Sequence, residues 1–228
     1  MERLGRLIGN DVRLKENNRE IDYMCLVTKM TEPIIATEDI TCYKVIRKDM
    51  SSLLHPEFEW DFGWIYTSPI KVFERTDNTH AIYQALHSYK TLEDLKRAYY
   101  TATVSCLAVE CTIPKGSEFY GGKHSDSEGY ASNQLIIEEV IDTKELYPDF
   151  DWDNYPYEEG QIVQIVINNS KGDYQIMNIQ PHPENNTRVD LIVKNCSVLN
   201  FEHTIKTTFD GKVWLSKNCV ILSKSKEE

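Results

Sequence analysis

The side chains most able to do chemistry in this chain are six histidines and six cysteines, and their spacing argues against most of the chemistry they could support. The histidines stand at 55, 80, 87, 124, 182 and 203, far apart and without the short intervals that place two imidazoles on one ion. No metal site is expected. The cysteines, at 25, 42, 106, 111, 196 and 219, contain no C-x-x-C, and the interval from Cys106 to Cys111 fits neither a zinc knuckle nor a redox motif. Cys42 and Cys106 each sit inside an apolar run, where a reduced thiol packs as a small hydrophobe. Glu138 and Glu139 are adjacent, so a strand turns them to opposite sides and prevents them from acting as a paired acid and base. On a strand, one is expected to face solvent and the other to pair with a neighbour. No phosphate loop, dinucleotide fingerprint, nucleophile elbow, H-E-x-x-H or calcium-loop pattern occurs, and no cofactor is expected.

What remains is a set of groups suited to holding a ligand. The stretch GGKHSDSEGYASN (121–133) reads as a long polar loop, with Lys123, His124, Tyr130, Ser132 and Asn133 offering donors and an aromatic face. His87, in ALHSYK, lies among Tyr83, Tyr89 and Lys90 just before a helix start; a hydrogen-bonded structural role is its plainer reading. If the chain takes a small ligand, the expected pocket gathers Tyr43, His87, Lys115, Tyr130, Ser132 and Asn133.

Elements must position these groups. Residues 1–36 read as a helical N-terminal segment: Ile21, Met24, Cys25 and Met30 keep roughly helical spacing after an Asn17/Asn18 cap, and Pro33 ends the pattern. Residues 37–145 read as an α+β domain with an antiparallel sheet and few helices. Its strands are ITCYKVI (40–46), two short pieces within 58–74, TVSCLAVECTI (103–113), SEFYGG (117–122) after the Pro114-Lys115-Gly116 turn, and QLIIEEVI (134–141). Its clearest helix is 91–102, where Thr91 caps, Asp94 follows at capping-box distance and Leu92, Leu95 and Tyr99 share a face. The segment 81–89 fits strand or short helix equally. Residues 146–159 belong to an acidic, aromatic, proline-containing stretch that reads as a linker packed over a core edge. Residues 160–228 alternate branched and polar residues, with turn signals at 170–173 and at Asp210-Gly211, and read as a small all-β barrel of SH3-like or OB-like type.

Composition bounds the partners. With 41% hydrophobic residues, four Trp, thirteen Tyr and seven Phe, the chain has ample material for packed cores. The net charge of −11 is uneven: residues 1–50 balance, 51–150 carry −8 and 151–228 carry −3. No basic stripe is present to displace counterions from phosphates, so direct nucleic-acid binding is not expected. No apolar run reaches the roughly 20 residues of a membrane span, and the N-terminus carries charges where a secretory leader needs an apolar stretch. A cytoplasmic protein is expected, and the sequons at Asn168, Asn185 and Asn195 then carry no meaning.

Several segments together carry a resemblance: EDITCYKV (38–45), the W-x-x-G-x-x-Y-like piece at 60–66, HSYKTLED (87–94), CTIPKGSEFYGG (111–122) and YASNQLII (130–137). Over roughly residues 36–142 the chain resembles a loose group of uncharacterised proteins encoded by bacteriophages and mobile elements. The resemblance implies a phage-associated accessory protein acting in host takeover, and assigns no catalytic residue. A weaker similarity, to ADP-ribosyltransferases, rests on the strand-turn-strand before Ser132. Here Ala131-Ser132-Asn133 lacks that family's second serine, Glu138-Glu139 lacks its intervening residue, and ITCYKVI lacks its early arginine or histidine. The expected function is therefore a non-enzymatic accessory protein that binds a host or phage protein or a small nucleotide-like ligand, with action against host defence as one form of that role. A virion structural protein and a divergent ADP-ribosyltransferase are the alternatives.

Overall fold

The computed structural model describes residues 25–53, 55–102, 104–167, 170–197, 202–208 and 219–224. They are mostly antiparallel β-structure, in two compact units. Of the described residues, one unit holds those up to 95 together with 108–141, and the other holds 96–107 and those from 142 onward.

The first unit contains β1 (Leu26–Thr28), β2 (Ile34–Ile35), β3 (Ile40–Arg47), β4 (Ile65–Thr67), β5 (Lys71–Glu74), β6 (His80–Gln84) and β7 (Leu86–Tyr89). Helix α1 (Leu92–Thr101) begins in it, and β8 (Cys106–Ile113), β9 (Glu118–His124), β10 (Ser127–Ser132) and β11 (Gln134–Ile141) complete it. Eleven strands make one sheet, in the order β4-β11-β8-β3-β7-β10-β9-β1-β6-β5, with β2 paired to β9. The two ends of this path, β4 and β5, are consecutive in the chain and are linked by only Ser68, Pro69 and Ile70. Four Cα steps reach at most about 14 Å, so the sheet must curl until its ends approach. Leu26, Ile82, Tyr120 and Ala131 form a core inside the curl, with Met30, Ile70 and Ala85 against it.

Glycines let strands and side chains cross this core closely. Gly122 of β9 faces Gly129 of β10 in register. A Cβ at Gly129 would meet the Ser88 carbonyl oxygen at 2.5 Å and His124 Cδ2 at 2.6 Å, and one at Gly122 would collide with the Val27 carbonyl. The helix start is as the sequence indicates: the Thr91 hydroxyl donates to Asp94 Oδ2 at 2.6 Å and accepts from the Asp94 amide at 3.2 Å. Asp94 Oδ1 also accepts the Glu128 amide at 2.8 Å, tying α1 to β10.

The second unit contains the short helix α2 (Thr143–Leu146) and β12 (Ile162–Ile167), β13 (Ser170–His182), β14 (Asn185–Asn195), β15 (Glu202–Thr208) and β16 (Cys219–Lys224). These five strands form an antiparallel sheet in the order β15-β14-β13-β12-β16. The aromatic residues of 146–159 pack into this unit. Tyr147, Phe150 and Tyr155 are buried, and Phe150 stacks edge-on to both Trp152 and Tyr155. The Tyr155 hydroxyl meets Thr207 Oγ1 at 2.8 Å, and Tyr99 OH donates to Asn178 Oδ1 at 3.1 Å.

Several sequence expectations are corrected. Residues 26–28, assigned to the N-terminal helix, are strand β1, with Leu26 opposite Ile82; residues 1–24 lie outside the described ones. The ambiguous segment 81–89 is two strands. The stretch 121–133 is not a long loop but most of the β9–β10 hairpin, which turns at Ser125 with φ 55°. Residues 170–173 are not a turn but the start of β13, because Ile167 already pairs with Ser170. The Asp210-Gly211 turn lies outside the described residues.

Candidate functional site

Register decides which side chains can meet. Tyr43 of β3 lies opposite Tyr89 of β7, and His87 lies opposite Ala131 of β10. Tyr89 and His87 are two apart, so Tyr43 and His87 share the face that also carries the Ala131 core. Ser132 lies opposite Leu86 and Tyr130 opposite Ser88, which puts Tyr130 and Ser132 on the other face. Lys115 is exposed at the 114–116 turn, where its amide donates to Asp39 Oδ1 at 2.7 Å. Asn133 sits at the β10–β11 junction. The six expected ligand residues therefore do not converge on one pocket.

Two of them are occupied by the backbone. The Ser132 hydroxyl donates to the Gln134 carbonyl at 2.7 Å, and Asn133 Oδ1 accepts the Glu118 amide at 3.0 Å. Tyr130 packs edge-on against Phe119 at 5.5 Å. Glu138 and Glu139, expected to take opposite faces, sit at an irregularity in the β11–β8 register and are both exposed.

His87 does have a partner in His124, which the sequence placed among the donors of a separate loop. Its ring lies 5.1 Å from that of His124, and the His124 ring lies 5.6 Å from that of Tyr89. Burial, with the Lys44 charge adding to it, holds His124 down at about 4, and burial drives His87 well below its ordinary value. Both imidazoles are thus neutral near pH 7. His87 Nδ1 and His124 Nε2 are buried without a hydrogen-bond partner. Lys44 donates to the His87 carbonyl at 2.5 Å and lies 5.2 Å from the Trp60 ring centre; burial lowers its pKa as well. Cys42 and Cys111 are buried free thiols. Cys42 and Lys44 flank Tyr43 in β3 and so take the face opposite the His87 ring, and among the described residues no group of three His, Cys, Asp or Glu is arranged to hold a metal ion.

The accessible feature lies where the sheet ends meet. A depression of about 300 Å³ is lined by residues 67–70, by Glu118 and by the Asn133–Gln134 junction. It is pinned by the Ser68 amide donating to the Asn133 carbonyl at 2.9 Å. Large apolar side chains stand exposed on the strands leading from it. Trp64 and Ile65 are 43% and 55% exposed at β4, and Val72 and Phe73 are 38% and 51% exposed on β5. Ile34 and Ile35 of β2, beside Glu118 and Phe119, are about equally open. Sequence reasoning named Asn133 in this region and missed the rest. The available signal was Phe62, Trp64 and Ile65 clustered ahead of Pro69, but which strands end the sheet is set by distant pairings.

Compared with protein-family models, with curated proteins and with solved structures, the chain matches none. Among the described residues no helix is long and apolar enough to cross a membrane.

Proposed function

We propose that this chain is a non-catalytic accessory protein that recognises a partner protein at the β4–β5 seam. The observation that carries the reading is the exposed apolar surface flanking the seam, with Trp64, Ile65, Val72 and Phe73 all more than a third exposed. Scattered exposed apolar residues need no explanation, but a grouped set at two strand ends is the usual mark of an interaction surface. The depression, at about 300 Å³, lies at the small end of ligand pockets, which favours a protein over a nucleotide-like ligand. The likeness to bacteriophage proteins supplies the setting, action on a host protein during takeover. The Ser132 hydroxyl, committed to strand carbonyls, weighs against the ADP-ribosyltransferase reading. We take the first unit as an α+β recognition domain and the second, by itself, as a small SH3-like or OB-like barrel.

A photo-crosslinking amino acid placed at Ile65 tests this in cells that make the protein. One partner should be captured from position 65 and not from Lys194, on the other unit. Equal capture from both positions, or none from position 65, would sink the reading.

A further inference from the structure

We infer that the seam takes an extended segment of its partner, one in which lysine or arginine alternates with aliphatic residues, added as a strand along β4. This rests on the seam being the recognition surface. The Ser68 amide bond to the Asn133 carbonyl marks a hydrogen-bonded rung between the two strands. In an antiparallel ladder such rungs alternate, and Gln134 pairs with Thr67, Leu135 with Tyr66 and Ile136 with Ile65. Tyr66 therefore spends its backbone groups on β11, while Ile65 and Thr67 turn their N–H and C=O outward. The same reasoning holds at the opposite end of the sheet. The Arg75 amide donates to the Thr79 carbonyl at 2.9 Å, and Glu74 pairs with His80 and Val72 with Ile82. Val72 and Glu74 thus point their backbone groups away from β6. Each strand closes one end of the sheet order, and no strand among the described residues covers either edge.

Open edges of this kind are templates for an added strand, and natural proteins usually blunt them with charge, proline or a covering element. Here β4 carries no charged residue, and apolar Trp64 and Ile65 stand exposed on it or next to it. The charge at the seam is mainly acidic. Glu118 lines the depression, Glu74 lies on the outer row of β5, and Asp61 sits beside the Tyr66 hydroxyl that accepts its amide. No ion pair holds any of the three among the described residues, and Lys71 is the only base on the two edge strands. Backbone rungs on β4 would hold the added strand, its aliphatic side chains would cover Ile65 on one face, and its cations would answer the carboxylates.

The test uses the full chain and an acetylated, amidated nine-residue peptide alternating valine and lysine, with the valine–glutamate peptide as its counterpart. On adding the lysine peptide, the amide resonances of Ile65 and Thr67 should shift most, with those of the second unit unmoved. The glutamate peptide should not bind. Neutralising two exposed carboxylates together, Glu74→Gln with Glu118→Gln, should weaken binding about fivefold, as expected for two surface ion pairs. Both residues lie on exposed positions, so an unchanged amide spectrum confirms that the variant folds. Equal binding of the two peptides, shifts away from β4, or no binding would overturn the inference. So would sedimentation showing that a second copy of the chain occupies the edge. If the peptide fails while crosslinking from Ile65 still returns one partner, the occupant chemistry falls and the recognition surface stands.

Discussion

Acidifying the protein from about pH 7.5 to about pH 4.5 destabilises the first unit through its two buried neutral imidazoles, His87 and His124. His124 lies against Gly129, 5.1 Å from the ring of His87, and burial together with the Lys44 charge holds its pKa at about 4. An unfolded histidine takes up its proton near 6.5. Between those values the unfolded chain binds a proton that the folded chain refuses. Stability is therefore complete above about 6.5 and is lost as the pH falls toward about 4. Linkage over that interval gives a loss of roughly 2–3 kcal/mol by pH 4.5 from His124 alone. His87, also shifted down by burial, adds a loss of the same sign. Asp49 and Asp77, whose hydrogen bonds to Ser51 and Thr79 lower them, lose their contributions only below the ordinary carboxylate range. Asp190, raised by burial, acts with the opposite sign in acid. The assay is urea unfolding followed by tryptophan fluorescence at several pH values, on the native chain and on His124→Gln. The variant should be less steeply destabilised between about pH 6.5 and 4.5, the slopes differing by roughly 2 kcal/mol over the interval. Parallel curves for the two proteins would refute the assignment of a buried neutral His124.

Three further outcomes follow from packing. Gly129→Ala should cost about 3 kcal/mol in urea unfolding, because its Cβ meets the fixed Ser88 carbonyl at 2.5 Å; a loss under about 1 kcal/mol would show the strands have room to part. Tyr99→Phe should cost about 1–2 kcal/mol by leaving buried Asn178 Oδ1 without its donor, and an unchanged unfolding midpoint would contradict that bond. Asp94→Ala removes the acceptor of both the Thr91 hydroxyl and the Glu128 amide, and should cost about 1–2 kcal/mol by the same assay; a neutral result would show that the helix start holds without them.

The local parts of this architecture are legible in the sequence. QLIIEEVI and ITCYKVI become β11 and β3 because branched residues dominate both, and Thr91 with Asp94 sets the start of α1 within a few residues of chain. Where glycine and polar residues serve distant neighbours, local reading fails. Gly121, Gly122 and Gly129 suggest a loop, yet Gly122 and Gly129 admit the Val27 carbonyl, the Ser88 carbonyl and the His124 ring into a packed hairpin. Ser170, Lys171 and Asp173 suggest a turn because they are polar, but they are solvent-facing positions at the start of a strand. Leu26–Thr28 is too short to show a period of two, and its partners lie at 80–82 and 123. The candidate ligand residues failed for the same reason. Tyr43 and Ser132 differ by an odd number of rungs, which only the β3–β7 and β7–β10 registers reveal. The seam itself has no local signature, since β4 and β5 become edges through pairings made elsewhere in the sheet.

Partner retention is the most direct measure of recognition at the β4–β5 seam. The chain would be isolated under native conditions from cells that make it, as the native protein, as Ile65→Asp and as Ile162→Asp, an exposed apolar position on the second unit. Quantitative mass spectrometry of the co-purified proteins should show one partner reduced at least about tenfold by Ile65→Asp, the scale of a residue central to an interface, and unaffected by Ile162→Asp. Equal retention by all three proteins would contradict recognition at the β4–β5 seam.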